Sequence, residues 1–279
     1  MIFSSTIFIF LFLPVVLGIY YIPLFRNNRK YKNYILLISS LIFYAWGEPI
    51  YVLLMMLSIV VTYFIGLSIH KSTTPKRALT VGVIYHIGVL FVFKYMSFLL
   101  GEMAHVCGKE QLQINIALPI GISFFTFQML SYIFDVYYGH ANVQKNILNL
   151  ALYVSLFPQL IAGPIVRYET IESEIQYRKE ATEDIQEGIR RFVCGLGKKA
   201  LLADYLAIIS DNVFGIANTS NVSMLTAWIG AIAYTLEIYF DFSGYSDMAI
   251  GLGRCFGFHF QENFNKPYIA ESVNDFWRR

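Results

Sequence analysis

The sequence predicts an all-α, polytopic integral membrane protein, and three observations predict it. Hydrophobic residues make up 56% of the 279 and charged residues only 14%, where a soluble domain carries about 25% charged. Mean hydropathy is +0.53. Apolar runs approaching or reaching spanning length recur from one end of the chain to the other. A soluble fold of this length would leave too much apolar surface uncovered, whereas a bilayer core solvates it. The aromatic share of 17% fits as well, since Tyr and Trp suit membrane interfaces. One transmembrane domain is expected over residues 1–279.

A spanning helix needs about 20 apolar residues. The first candidate is Ile2–Leu24, followed by a basic loop with Arg26, Arg29, Lys30 and Lys32. Tyr34–Trp46 and Ile50–Ile69 follow, broken by Gly47-Glu48-Pro49, and a second basic loop holds Lys71, Lys76 and Arg77. If the two runs form a hairpin, both basic loops lie on one side. The positive-inside rule makes that side cytoplasmic and the N-terminus external. Tyr34–Trp46 is short, so it is expected to be tilted, extended or partly embedded. Further runs are Ala78–Leu100, Ile116–Phe134, Ile147–Ile165, Phe192–Ile216, Met224–Phe242 and the shorter Ala249–Phe260.

The charge-dense segment 169–191 differs. Ile185, Ile189 and Phe192 recur at helical spacing. Thr182 can cap the segment, Glu183 and Asp184 suit a first turn, and Arg190 and Arg191 suit a last. It is expected to be an amphipathic helix on the cytoplasmic membrane surface. Counting every intervening run as a full span would put it outside, so one run is expected to be re-entrant. Pro119-Ile-Gly121 and Phe157-Pro-Gln-Leu-Ile-Ala-Gly-Pro164 are natural breaks. Broken backbone at membrane depth survives only where protein or a watery cavity covers it. The expected number of spans is roughly seven to nine.

Other classes find little support. A net charge of +2 offers no footprint for nucleic acid. Cys107, Cys194 and Cys255 match no zinc or redox spacing and read as packing residues, and no metal site is indicated. The N-terminal run lacks a basic n-region and a cleavage site, so it reads as a retained span. Gly251-Leu-Gly253-Arg-Cys-Phe-Gly257 has the wrong final spacing for a dinucleotide loop, and Gly195-Leu-Gly197-Lys198-Lys199 lacks the rest of a P-loop. Asn218 and Asn221 sit in glycosylation triplets that matter only in a eukaryotic secretory setting.

Ionisable groups in apolar surroundings are costly and mark candidate function. Asp135 ends an apolar run and reads equally as an interfacial residue. Glu237, Asp241 and Asp247 are more telling. Glu237 and Asp241 are four apart and share a helix face. Either a helix ends at Gly244 with all three acids among the headgroups, or they form an acidic, hydroxyl-rich channel wall. His86 lies inside an apolar run as a possible proton handler. No nucleophile or orienting acid neighbours it in sequence, which favours a structural role. Lys94 can snorkel to the interface.

Several blocks together resemble a known family. Leu118-Pro-Ile-Gly-Ile-Ser-Phe-Phe-Thr-Phe-Gln128 is similar to a signature of the membrane-bound O-acyltransferases, in their alginate O-acetyltransferase branch. Residues 157–164, 195–199, Tyr239-Phe-Asp-Phe-Ser-Gly-Tyr-Ser-Asp247, Asn263-Phe-Asn-Lys-Pro-Tyr268 and Phe276-Trp-Arg-Arg279 resemble the same branch in the same order. The resemblance covers essentially the whole chain. It implies a dish-shaped, multi-helix bacterial inner-membrane protein with a narrow channel through a thinned centre. An acetyl group would pass from a cytoplasmic donor, acetyl-CoA or an acyl carrier, to a hydroxyl of an exported polysaccharide such as alginate. An extracytoplasmic transfer protein is the implied partner, and no bound cofactor is implied. A sister branch transfers D-alanine toward teichoic acid.

In the family the Phe-Trp-Arg-Arg block runs on into Trp-His, and a second histidine follows later. Both expected histidines fall beyond Arg279, so no catalytic residue is carried over and the chain alone is expected to be inactive. Histidine suits general-base activation of a hydroxyl because its pKa lies near working pH. Among the motif residues, Gln128, Gln159 and Asn265 offer amide donors and acceptors, while Gly163 and Pro164 permit broken, closely approaching backbone. Asp241, Ser243 and Asp247, with Glu237, would line the channel or orient the histidine. Helix packing explains the same residue types. An ion- or proton-coupled transporter and a non-catalytic membrane scaffold are the alternatives, the first weakened by the lack of an internal repeat.

Overall fold

The computed structural model describes residues 2–25, 28–106, 116–160, 163, 166–217 and 222–279. Among them there is no strand, as the all-α expectation requires. The chain forms two compact units. The first comprises residues 14–160 and 166–177, the second residues 2–13, Gly163 and residues 178–279.

Helices of the first unit follow the apolar runs, with shifted ends. Helix α1 (Leu13–Tyr20) continues a π-helical turn at Phe8–Phe12, so the expected Ile2–Leu24 span is corrected: its main helix ends at Tyr20, and a short 3₁₀ turn follows at Pro23–Phe25. Helix α2 (Arg29–Gly47) is extended at its start: the Asn28 side chain caps it by accepting from Tyr31 N–H at 3.1 Å. Lys32, read as a loop cation, is instead buried within α2 with its ammonium 5.0 Å from the Tyr20 ring centre. The ring quadrupole stabilises a cation there.

Helix α3 (Tyr51–Lys71) and helix α4 (Pro75–Val106) are the two described helices long and apolar enough to cross a membrane. At 1.5 Å per residue, 21 residues reach about 31 Å, the thickness of a hydrocarbon core. Almost all of α4's apolar length is exposed, including Ile84, Phe91 and Phe98, which is surface that lipid would solvate. His86, on α4, is buried with Nε2 at 3.0 Å from the Thr62 hydroxyl of α3. That bond ties the two helices, as a structural histidine does.

Helix α5 (Ile122–Tyr138) begins after Gly121 and ends at Gly139, both left-handed, a conformation glycine adopts without a Cβ clash. The Tyr44 hydroxyl donates to Ile120 O at 3.1 Å and pins the Pro119-Ile-Gly break. Asp135 is buried near the end of α5, and its carbonyl accepts from His140 N–H at 2.9 Å. The expected Ile147–Ile165 span is corrected. Helix α6 (Ile147–Ser155) has nine residues, Leu156 leaves the helical region, and helix α7 (Phe157–Leu160) is one turn. Pro158 lacks an N–H and its ring would clash inside a continuing helix, so the ladder breaks there. Ser40 of α2 accepts Phe157 N–H at 3.0 Å.

The charge-dense segment folds as two helices, α8 (Tyr168–Tyr177) and α9 (Thr182–Gly197). Thr182 is the first residue of α9 rather than its cap, which is Ala181. Buried Tyr132, Tyr153 and Tyr168 anchor α8 to α5 and α6, with edge-on ring pairs at 4.8 and 5.1 Å.

In the second unit α9 does not stop. It runs through a π-helical stretch at Lys198–Ala203 into helix α10 (Asp204–Ala217). The expected Phe192–Ile216 span is therefore the distal part of a longer helix, not a separate one. The runs Met224–Phe242 and Ala249–Phe260 are likewise one feature: helix α11 spans Met224–Cys255. Gly244 lies inside it, which removes the reading of a helix end there. The Arg178 guanidinium, fully buried, donates to Phe256 O at 2.9 Å and lies 4.3 Å from the Phe258 ring, closing the end of α11. Phe3 stacks on Tyr245 at 4.6 Å. Helix α12 (Val273–Arg278) follows, capped by Ser272.

Candidate functional site

The site is built where α9 and α11 meet. Two glycine pairs bring their backbones together. A Cβ on Gly188 would stand 2.6 Å from Gly251 O, and one on Gly195 2.6 Å from Gly244 O. Each pair is seven residues from the next along both helices, two turns, so the contact is a straight seam of small residues. Close approach lets short side chains on α11 reach cations on α9.

The π-helical stretch sits directly after that seam. One extra residue per turn re-aims the side chains there, as such bulges do at functional sites. Lys198 and Lys199 both face acids of α11. The Lys198 ammonium lies 2.5 Å from Asp247 Oδ2, and the Lys199 ammonium lies 2.7 Å from Asp241 Oδ1 and 3.0 Å from Asp204 Oδ1. Two turns lower, Arg191 donates to Asp247 Oδ1 from Nε at 3.0 Å and from Nη2 at 2.9 Å. Its two Nη groups also hold both oxygens of Glu262. Glu262 raises the Arg191 pKa most, burial opposes it, and Asp247 adds to the rise. On the distal side, the Ser210 hydroxyl of α10 donates to Glu237 Oε2 at 2.6 Å.

Every acid predicted on α11 thus has a partner on the α9–α10 helix. Glu237 and Asp241 share a face, as their spacing requires. Of the two ion-paired acids on α11, Asp247 is the more enclosed, its side chain 16% exposed against 53% for Asp241. Beside Asp247 opens a pocket of about 340 Å³, which Ser243, Asn265, Tyr239 and Lys266 also line. The structure therefore brings Ser243, Asp247 and Asn265 into one cavity. None of the five histidines lines it. The arrangement can bind and orient a polar group. Among the described residues it offers no imidazole base.

Gln128 and Gln159 belong to the first unit. Both are buried. The Gln159 amide donates to Tyr153 O at 2.6 Å, and neither Gln128 Oε1 nor Gln159 Oε1 has a partner among the described residues. Gly163 is buried at a bend of the second unit, and Pro164 lies outside the described residues.

A model of the membrane-bound O-acyltransferase family matches residues 140–279, which contain this whole site. The chain belongs to that family. It is 44% identical over its full length to a protein of Pseudomonas aeruginosa named as a probable alginate O-acetylase, AlgI, 54% of which is covered. It is 35% identical over its full length to the peptidoglycan O-acetyltransferase of Helicobacter pylori, 58% of which is covered. A teichoic acid D-alanyltransferase of Bacillus subtilis is 27% identical over 59% of the chain and 42% of its own length. The chain spans about half the length of the curated relatives it matches over its full extent.

Sequence reasoning missed the roles of Arg191, Lys198, Lys199 and Glu262. Their signal was available in charge alone. Lys198 and Lys199 stand within an otherwise apolar run, where a cation needs a counter-ion, and the α11 acids are the nearest matching set. Arg190, by contrast, stays on the surface: it grips Glu187 with two bonds of 2.8 Å. Those bonds, and then the Arg190 and Arg254 charges, hold the Glu187 carboxyl below its ordinary 4.5. A depressed carboxylate stabilises the fold above its unfolded pKa, and the benefit is lost as pH falls through the folded value. Arg190→Ala is expected to move the Glu187 titration, read by carboxyl carbon NMR, back up toward 4.5. No movement would break the assignment.

Proposed function

We propose that the protein is a multi-pass inner-membrane O-acyltransferase that moves an acetyl group from a cytoplasmic donor to a hydroxyl of an exported polysaccharide. The observation that carries this reading is full-length similarity to two kinds of O-acetylating protein, one named for alginate and one for peptidoglycan. Identity is higher to the alginate proteins, 40–44%, so alginate or a similar uronic polymer is the favoured acceptor. The paired charges between α9 and α11 support the same reading. Neutralised ions on otherwise apolar helices can border a polar passage without an uncompensated charge.

In this reading the donor is acetyl-CoA or an acyl carrier, and an extracytoplasmic protein takes up the acetyl group for the polymer. Asp247, held at both oxygens, fixes the geometry of the pocket. Ser243 and Asn265 supply the hydrogen bonds that position a substrate in it.

The test uses sealed membrane vesicles carrying the full-length protein. Radiolabelled acetyl-CoA is supplied on the cytoplasmic face, and alginate together with an extracytoplasmic extract that contains the acetyl-accepting protein on the other. Label should become ester-linked to the polymer and be released by mild alkali. A donor-independent, substrate-driven proton flux with no ester formed would favour a carrier and sink the transferase reading.

A further inference from the structure

The first compact unit holds a second cavity, to which the proposed chemistry assigns no role. It encloses about 370 Å³ where α2, α6 and α8 meet, within the range of small-ligand sites, about 300–1,000 Å³. Arg29, Lys30, Tyr34, Asn149, Gln176 and Tyr177 supply polar groups to its lining, and no Asp or Glu belongs to that lining. Arg29 has a partner of its own, whereas Lys30 is exposed and has no ion pair among the described residues. Lys30 is therefore the cation left to a ligand, and the ligand it suits is an anion.

The surrounding backbone favours the same sign. The cavity lies at the starts of α2 and α6, whose first residues are Arg29 and Ile147. Helix N-termini carry positive partial charge. Helix α8 brings its opposite end there, but the Asn33 amide of α2 donates to Ile175 O at 2.9 Å and occupies one of its last-turn carbonyls.

The surface next to the cavity separates a lipid from a dissolved anion. Tyr34 lines the cavity, and Ile38, Ile42 and Trp46 follow it on α2 at intervals of four residues, all exposed. Residues four apart are neighbours on a helix surface, so an apolar stripe leads away from the polar lining for about 18 Å. A dissolved phosphate ester leaves that stripe bare, whereas an acyl chain covers it. Tyr34 and the strongly exposed Tyr177 stand where amphipathic rings meet headgroups. The lining also discriminates between headgroups. An ammonium-bearing headgroup would put its charge beside Arg29 and Lys30 with no carboxylate in the lining to receive it.

Resting on the membrane placement given above, we propose that this cavity seats the phosphate of an anionic phospholipid whose headgroup carries no cation, phosphatidylglycerol in kind. Lys30 is its counter-ion, and one acyl chain lies along Tyr34, Ile38 and Ile42. Basic pockets on the cytoplasmic side of helix bundles hold anionic headgroups by the same physics.

The experiment measures lipid selection by the full-length protein. The protein is stripped of lipid in detergent and offered equal amounts of phosphatidylglycerol and phosphatidylethanolamine, and native mass spectrometry identifies the first lipid bound. Phosphatidylglycerol should be preferred at least about fivefold, the scale of one basic residue at an anionic surface. Lys30 is exposed, so Lys30→Gln should fold normally and lose most of the preference, while Lys30→Arg should keep it. Arg77→Gln is the control, because Arg77 starts α4 and does not line the cavity; its preference should be that of the parent. Equal binding of the two lipids, or an unchanged preference in Lys30→Gln, would overturn the proposal. So would an equal loss in Arg77→Gln, which would mean a general effect of basic surface. Displacement of the lipid by glycerol phosphate at matched concentration would also overturn it, making the cavity a site for soluble phosphate. The assay contains no acyl donor. Lys30-dependent selection without acetyl transfer would count against the proposed function alone, and transfer without that selection against the lipid seat alone.

Discussion

Gly195→Leu is expected to leave little folded protein in a detergent extract. A Cβ at Gly195 would stand 2.6 Å from Gly244 O, 2.8 Å from Met248 N and 2.9 Å from Asp247 Cβ. Two of those atoms are backbone and have no rotamer into which to retreat. The helices must separate, and the remaining leucine atoms add to the misfit. Overpacking a tight contact costs about 1–3 kcal/mol even for small additions, so the leucine variant belongs at or beyond the upper end. Gly197 is the internal control, because nothing lies within 4 Å of the corresponding Cβ. Gly197→Ala should be neutral or slightly stabilising, since alanine loses less backbone entropy in a helix. Gel filtration and thermal unfolding of Gly195→Ala, Gly195→Leu and Gly197→Ala read the order directly. Equal stability of all three would show that the seam does not bear the α9–α11 contact.

Asp247→Asn is expected to lower acetyl transfer by about 10²-fold, the scale of an ångström-level displacement of a positioned group, with protein abundance little changed. The amide keeps the shape but removes the charge that both Lys198 and Arg191 address. Lys198 then has no carboxylate to hold it, and Arg191 retains only Glu262. The pocket should change its potential and its lining together. Asp241→Asn should have a smaller effect. Its carboxylate is 53% exposed, so solvent screens the loss, and Lys199 keeps Asp204 at 3.0 Å. Transfer at the parental rate in Asp247→Asn vesicles would remove this acid from the site. A larger effect at Asp241 would reverse the ranking.

Helix type and approximate extent were legible because apolar composition and caps act locally. Asn28 before α2 and Ser272 before α12 are helix starts of the kind a short polar side chain makes. The Pro119-Ile-Gly121 and Phe157-Pro158 breaks were equally readable, since proline removes a donor wherever it stands. The merger of α9 with α10 was not. Gly195 and Gly197 signal a break by propensity, and a hydropathy change at residue 192 suggests two environments. A helix ladder is indifferent to hydropathy, and packing against α11 overrides the glycine penalty. The same override carries α11 through Ser243-Gly244.

Candidate site residues were legible as types and not as a constellation. Sequence order placed Glu237, Asp241 and Asp247 on one segment, and the motif blocks added Ser243 and Asn265. It placed Gln128 and Gln159 beside them as equals, although these two sit in the other compact unit.

By itself, then, the sequence determined the helical, lipid-compatible character of this protein, its family and the acids that need partners in apolar surroundings. Each follows from composition or from near neighbours along the chain. Only the tertiary structure decided which cations neutralise which acids and that two glycine pairs set the distance between α9 and α11. Those are properties of residues far apart along the chain, such as Lys199 with Asp241 and Arg191 with Glu262. Their meeting depends on helix phase, which one π-helical turn at Lys198–Ala203 changes and which no local propensity encodes.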